Sequence, residues 1–288
     1  MKIKLLLLFL LWTPCVWAKP KVVAVQYPLA FFAETLAGDD FEVTNLTPPG
    51  VEPHDYKPGL RSLAVASRAD LFLYNSESTE PWASRFSREI SRQGGQVFEA
   101  RLVFDPTHVN RFDPHWWLDP LMVVRYAEKL AAQMIQVSPK AEANINGRLQ
   151  VLERKVLKLD MLYVSRLKTC KRRKMVVGHD AYRYLANRYR LETFPLQGIT
   201  AESKPSLAHM AAAIKWIKRN RIKAIFVEEL TNPQLSETLA EEVNVETIQL
   251  TALGNLSLKE SQEKKGYFEL MNQNLQRLGR GLECPTIH

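Results

Sequence analysis

SPKAEANINGRLQVLERKVLKLDMLYVSRL, running from Ser138 to Leu167, is the stretch on which the fold turns. It holds no glycine after Gly147, few breakers and many charges, and Leu149, Leu152, Val156 and Leu159 recur at spacings of three and four. That period lines apolar residues along one face of a helix. Ser138 offers an N-cap and Pro139 suits the first helical position, with Glu142 one place beyond the usual capping-box spacing. Gly147 weakens the pattern slightly. The reading is one rigid helix over 138–167, about seven or eight turns at 3.6 residues each. A helix of that length can serve as a spine between two domains.

On either side of it the chain repeats one grammar. Upstream, strand-like runs at 21–26, 41–46, 70–74 and 97–100 alternate with helix-like runs at 29–36, 60–69, 81–92 and 121–135. Downstream, strands at 174–177, 192–196, 224–227 and 246–251 alternate with helices at 181–189, 205–219, 234–242 and 267–278. Strand alternating with helix argues for a parallel sheet covered on both faces. The fold class is therefore α/β, with two doubly wound-like lobes joined by one long rigid helix. Loops at the carboxyl ends of the strands line a cleft between the lobes. The expected organisation is a signal peptide at 1–18, an N-terminal lobe at 19–137, the linker helix at 138–167 and a C-terminal lobe at 168–288.

The signal reading rests on Lys2 and Lys4, the apolar run from Leu5 to Leu11, and the small residues of Val16-Trp17-Ala18. That run is far short of the roughly 20 residues of a spanning helix. Cys15 suggests a lipoprotein as the alternative, but Thr13-Pro14 is a poor context for one. An exported, periplasmic chain follows. The formal net charge is +8, and the one dense basic run, Lys168 to Lys174, reads as a solvated face instead of a nucleic-acid contact. Cys170 and Cys284 could pair in an oxidising compartment, and spacing alone leaves that open. They lack the spacing of a cysteine metal site.

Chemistry concentrates in histidines. Of the six, His54 lies in GVEPHDYKP (50–58), His115 in DPHWWLDP (113–120) and His179 in GHDAY (178–182). Each stands where a strand-like run ends or a helix-like run begins. One loop histidine is commonly a bystander; three in matching contexts suggest a metal site in the cleft. Neutral imidazole is a natural ligand for zinc. Asp55, Asp119 and Asp180, close in sequence, could accept the second ring N–H. His108, His209 and His288 read as bystanders. Trp82, Trp116, Trp117, Tyr182 and Tyr184 read as packing residues, and Glu77 and Glu80 as surface charges suited to docking on a membrane partner.

With these motifs the chain resembles the zinc and manganese solute-binding proteins of bacterial ABC importers, the ZnuA/TroA-like group. The resemblance spans Lys21 to Gly279. Besides the three histidine motifs it includes ADLFLYN (69–75) with Glu80-Pro81-Trp82, Gly198-Ile199 with 202–206, and the segment from Ile225 through Glu228-Glu229 to Leu239. It implies two lobes bridged by a long helix with metal between them, no catalytic residues, and His54, His115 and His179 as ligands of transported Zn2+. Histidine at the third position is similar to the zinc branch. Partners implied are a divalent metal ion and an ABC-transporter permease, with the chain a monomer that binds no nucleic acid. Two departures stand out. Thr251 occupies the place where many relatives carry an acidic fourth ligand, so water, or else Glu228 or Glu229, is expected to complete the shell. The His-rich acidic loop of many zinc members is reduced to 104–112. The rival readings are a manganese or iron binding protein, an envelope zinc hydrolase with Glu228 or Glu229 as base, and an adhesin with an incidental site.

Overall fold

The structure is a computed structural model and describes residues 18–104, 112–199 and 205–285. The expected signal segment, His108 and His288 lie outside the described residues, apart from Ala18.

The N-terminal lobe runs β1 (Lys21–Ala24), α1 (Tyr27–Ala37), β2 (Glu42–Asn45), α2 (Leu60–Ala66), β3 (Leu71–Tyr74), α3 (Pro81–Arg92), β4 (Gln96–Glu99), α4 (Arg101–Phe104) and α5 (Pro120–Val137). The spine is α6 (Glu142–Leu167). The C-terminal lobe runs β5 (Lys174–Val177), α7 (Arg183–Tyr189), β6 (Glu192–Pro195), α8 (Leu207–Asn220), β7 (Ala224–Val227), α9 (Gln234–Val243), β8 (Glu246–Gln249), α10 (Leu258–Gln262) and α11 (Tyr267–Gly281). Each lobe holds a four-stranded parallel sheet, ordered β2-β1-β3-β4 and β6-β5-β7-β8. The register is equivalent in the two, with Val22 opposite Leu71 and Val176 opposite Ile225. Every residue of β3 is buried, as a central parallel strand requires.

The α6 helix spans 26 residues, roughly 39 Å at 1.5 Å per residue. Its face of Ile145, Leu152, Val156, Leu159, Tyr163 and Leu167 is buried. It packs on α1 and α5 of one lobe and on α7 and α11 of the other, so one apolar cluster runs through both lobes. Tyr163 adds a hydrogen bond, its hydroxyl donating to the Met271 carbonyl at 2.7 Å.

The start of the spine differs from expectation. Ser138 closes α5, its N–H donating to Met134 O at 2.9 Å, and its side chain makes no cap bond. A 3-10 turn over Pro139–Ala141 follows, and the α-helix begins only at Glu142. The end of α5 lies directly before the turn, so Ser138 serves the helix behind it. A side-chain cap does form at α5, where the Asp119 carboxylate accepts from Leu121 N at 2.9 Å. The β8 strand ends at Gln249, two residues before the expected limit, and α4 and α10 are short helices with no sequence period to betray them.

The left-open cysteine pair is a disulfide, Cys170–Cys284, joining the residues after α6 to those after α11. Part of the basic run is occupied: Arg172 pairs with Glu283 at 2.6 Å, and Arg173 donates to the Leu167 carbonyl at 2.6 Å. Among the described residues no helix is long and apolar enough to cross a membrane.

Candidate metal centre

Three different local devices present the three histidines. His54 sits in a 3-10 turn, Pro53–Asp55, whose proline stiffens the approach. His115 immediately precedes a second such turn, Trp116–Leu118, packed into the N-terminal core. His179 follows β5 through Gly178, whose N–H is bonded to Phe226 O of the neighbouring strand at 2.9 Å. His115 and His179 are buried and His54 is half-buried. His115 Nε2 lies 3.4 Å from His54 Nε2 and 3.5 Å from His179 Nε2. The three candidate ligand atoms all fall within 4.8 Å of one another, so one metal ion could be held by all three. Two of the candidates come from the N-terminal lobe and one from the C-terminal lobe.

Carboxylates stand behind two of the rings. Asp113 Oδ1 lies 2.8 Å from His115 Nδ1 and also accepts from His115 N at 3.0 Å. Glu228 Oε1 lies 2.7 Å from His179 Nδ1, at an alignment that departs from a linear hydrogen bond. Both arrangements leave Nε2 free to ligate a metal ion and would orient the ring. The carboxylates expected in this role lie elsewhere. Asp55 is exposed, Asp119 caps α5, and Asp180 pairs with Arg183. Sequence proximity misled here because the required carboxylate must face Nδ1, and for His179 it arrives from a different strand end. The one available signal was the Asp113-Pro114-His115 spacing, which lets a side chain fold back on its own turn.

Electrostatics separates the histidines. Burial, reinforced by the neighbouring His115 and His179, pushes the His54 imidazole down to about 3. Burial also pulls His179 down, but Glu228, with help from Glu52 and Asp113, outweighs it and leaves the value raised. Burial lifts the Glu52 carboxyl to about 7 against the opposing pull of His179. Glu52 Oε1 accepts from His54 N at 3.4 Å.

The cavity at the three rings measures about 30 Å3 and is also lined by Glu52, Trp117 and the 251–255 loop. It has space for an ion and a water but is an order of magnitude below the roughly 300 Å3 of small-molecule sites. That size disfavours the hydrolase reading. Thr251 uses its hydroxyl to accept from Leu253 N at 3.1 Å. Glu229 accepts from Gln249 Nε2 at 2.8 Å, and Glu228 is the partner of His179.

Trp116 and Trp117 are buried packing residues, with indole N–H groups donating to Asn75 Oδ1 at 3.0 Å and Ala252 O at 2.7 Å. Tyr182 is buried, and Trp82 is half-buried against Tyr56 and Phe72. Glu77 is exposed, but Glu80 is not the surface charge expected of it. It is buried, with its carboxylate bonded to Asn75 N at 2.5 Å, Ser76 N at 3.4 Å and Gln26 Nε2. An exposed role fails because these donors claim it, and burial raises its carboxyl to about 7. His209 lies apart, stacked on Phe194 and 2.9 Å from Pro195 O.

The comparisons with known proteins agree with this geometry. The profile of the family described as "Zinc-uptake complex component A periplasmic" matches residues 22–281. The high-affinity zinc uptake system protein ZnuA of Bacillus subtilis is 30% identical over 277 residues, covering 90% of this chain and 86% of that protein. The zinc-binding lipoprotein AdcA of Streptococcus pneumoniae is 27% identical over 90% of this chain, which spans only 55% of AdcA. Among solved structures, the Zn(II)-bound ZnuA-like domain of that AdcA superposes with a TM-score of 0.80 at 28% identity, covering 92% of this chain and all of the domain (100%). The laminin-binding protein Lmb of Streptococcus agalactiae, described as bifunctional with adhesin and metal transporting activity, gives 0.81 at 25% identity over 91% of this chain and 99% of Lmb. With a profile match across nearly the whole chain and a relative at 30% identity, this chain belongs to the periplasmic zinc-uptake complex component A family of solute-binding proteins.

Proposed function

We propose that the chain captures Zn2+ outside the cytoplasm through His54, His115 and His179 and delivers it to an ABC-transporter permease. The observation that carries the reading is the convergence of three imidazole nitrogens within 4.8 Å, drawn from both lobes. Three neutral nitrogens suit zinc better than manganese, which favours carboxylate and water. Zinc is cargo here, and its fourth position is taken by a water. Thr251, Glu228 and Glu229 are each engaged elsewhere, which supports water over any of them. Capture replaces the hydration shell of the ion by imidazole. Docking on the permease would reverse it. The lobes share α6 and one continuous core, so a small shift of the loops suits release better than a wide hinge.

The test is competitive titration with zinc, manganese and iron at neutral pH, with bound metal counted by mass spectrometry. One tight zinc equivalent is expected, reduced to weak but measurable binding in His54→Ala, His115→Ala and His179→Ala. Preference for manganese, or zinc uptake indifferent to these substitutions, would overturn the assignment.

A further inference from the structure

The loop that carries His54 is held by the opposite lobe. Residues 46–52 have no regular structure and lead from β2 to the Pro53–Asp55 turn. Asn255, in the segment after β8, is buried at 2% exposure. Its side-chain amide donates across the lobe boundary to Pro48 O at 2.6 Å and to Val51 O at 2.9 Å. Both partners are carbonyl oxygens, so the side chain must present nitrogen to them, and both amide hydrogens are used. Gly50 N adds a third bond across the boundary, to Leu256 O at 2.7 Å. The backbone also comes close: a Cβ on Gly254 would lie 3.2 Å from Cγ of Pro53, the neighbour of His54.

The platform beneath Asn255 is hydrogen-bonded on both sides. On one side Thr251 exchanges bonds with Asn274, its N–H donating at 3.0 Å and its carbonyl accepting at 2.7 Å. On the other, Ser257 and Glu260 form a reciprocal capping box at the start of α10. His115 and His179 have carboxylates 2.8 and 2.7 Å from Nδ1 within their own lobes. His54 is held through its backbone, and much of what holds that backbone belongs to the other lobe.

We infer that Asn255 is a positioning residue for His54: an inter-lobe latch that keeps the 48–51 segment, and with it the imidazole, in ligating position. Separation of the lobes at this loop then withdraws His54 first, leaving His115 and His179 in place. The inference rests on the reading of His54 as a ligand.

A double-mutant cycle separates the two. Zinc affinity is measured by chelator competition in the wild-type protein, Asn255→Ala, His54→Ala and the double variant. Asn255→Ala is expected to weaken zinc about 10–100-fold, the range of outer residues that orient a ligand. In the His54→Ala background the same change should cost less than about 2-fold, since the residue it acts through is gone. Asn255→Asp keeps the shape but sets one carboxylate oxygen against two carbonyl oxygens, and should weaken zinc at least as much as Asn255→Ala. Equal losses in both backgrounds, the result that general misfolding would also produce, would overturn the latch while leaving His54 a ligand. No loss in Asn255→Ala would do the same. Wild-type affinity in His54→Ala would instead remove the ligand reading and the latch with it.

Discussion

At the scale of single residues, burial pulls two neighbouring imidazoles down, and a carboxylate reverses the outcome at one of them. His54 is held near 3, so its imidazole is neutral at any physiological pH. His179 is buried too, yet the Glu228 carboxylate keeps its proton on more tightly than usual. On the proposed reading, a zinc ion binding at Nε2 would have to displace that proton. The sign follows: a raised value in the metal-free protein means protons compete more strongly, so zinc affinity falls as pH drops below the His179 value and levels off above it. Glu228→Gln removes the charge that raises His179, and the onset of this fall should move to lower pH. Calorimetric zinc titrations across pH would show it; an onset that stays put in Glu228→Gln would rule out Glu228 as the cause. The three histidines were legible in the sequence because each sits in a compact, proline- or glycine-marked motif. Glu228 as the partner of His179 was not, since it comes from the end of β7, and Glu80 was misread because nothing local signals that Gln26 and the 75–76 backbone converge on it.

Among the elements, α6 does the most to set the architecture. The three-and-four spacing of Leu149, Leu152, Val156 and Leu159 made the helix readable; the last three are buried and Leu149 is half-buried. Leu159, at 2% exposure, belongs to the cluster that joins the two lobes. Leu159→Ala should lower stability by about 2–5 kcal/mol, the cost of a large-to-small change in a packed core. Urea denaturation measures it, and a loss below about 1 kcal/mol would show that the site collapses around the deletion or is not tightly packed. The helix start was less legible than its middle. Periodicity is a property of many residues, whereas Ser138 could serve either the helix behind it or the one ahead, and the close approach of α5 settles that choice.

For the whole molecule, two sheets of equivalent strand order contribute loops that line one small cavity, and the lobes are tied at several points. The Cys170–Cys284 bond closes the C-terminal lobe with a sequence separation of 114 residues. It lies near the amino end of β5, whereas His179 follows the carboxyl end. Replacing both cysteines by serine should therefore cost about 2–5 kcal/mol of stability, as loss of a native disulfide usually does, and leave zinc affinity unchanged. Thermal unfolding with parallel zinc titration tests both halves; a large loss of affinity would mean that the bond shapes the site as well as the lobe.

What the sequence by itself determined is the α/β class, the two-lobe plan, the long helix and the identity of the three histidines, because periodicity and turn chemistry are local and are written in neighbouring residues. The tertiary structure decided which carboxylates stand behind the rings, that Glu80 is buried, that the two distant cysteines pair, and that Asn255 reaches across to hold the His54 loop. Those are contacts between residues as much as 207 positions apart. Their partners are selected by how the packed lobes meet, which no local pattern encodes.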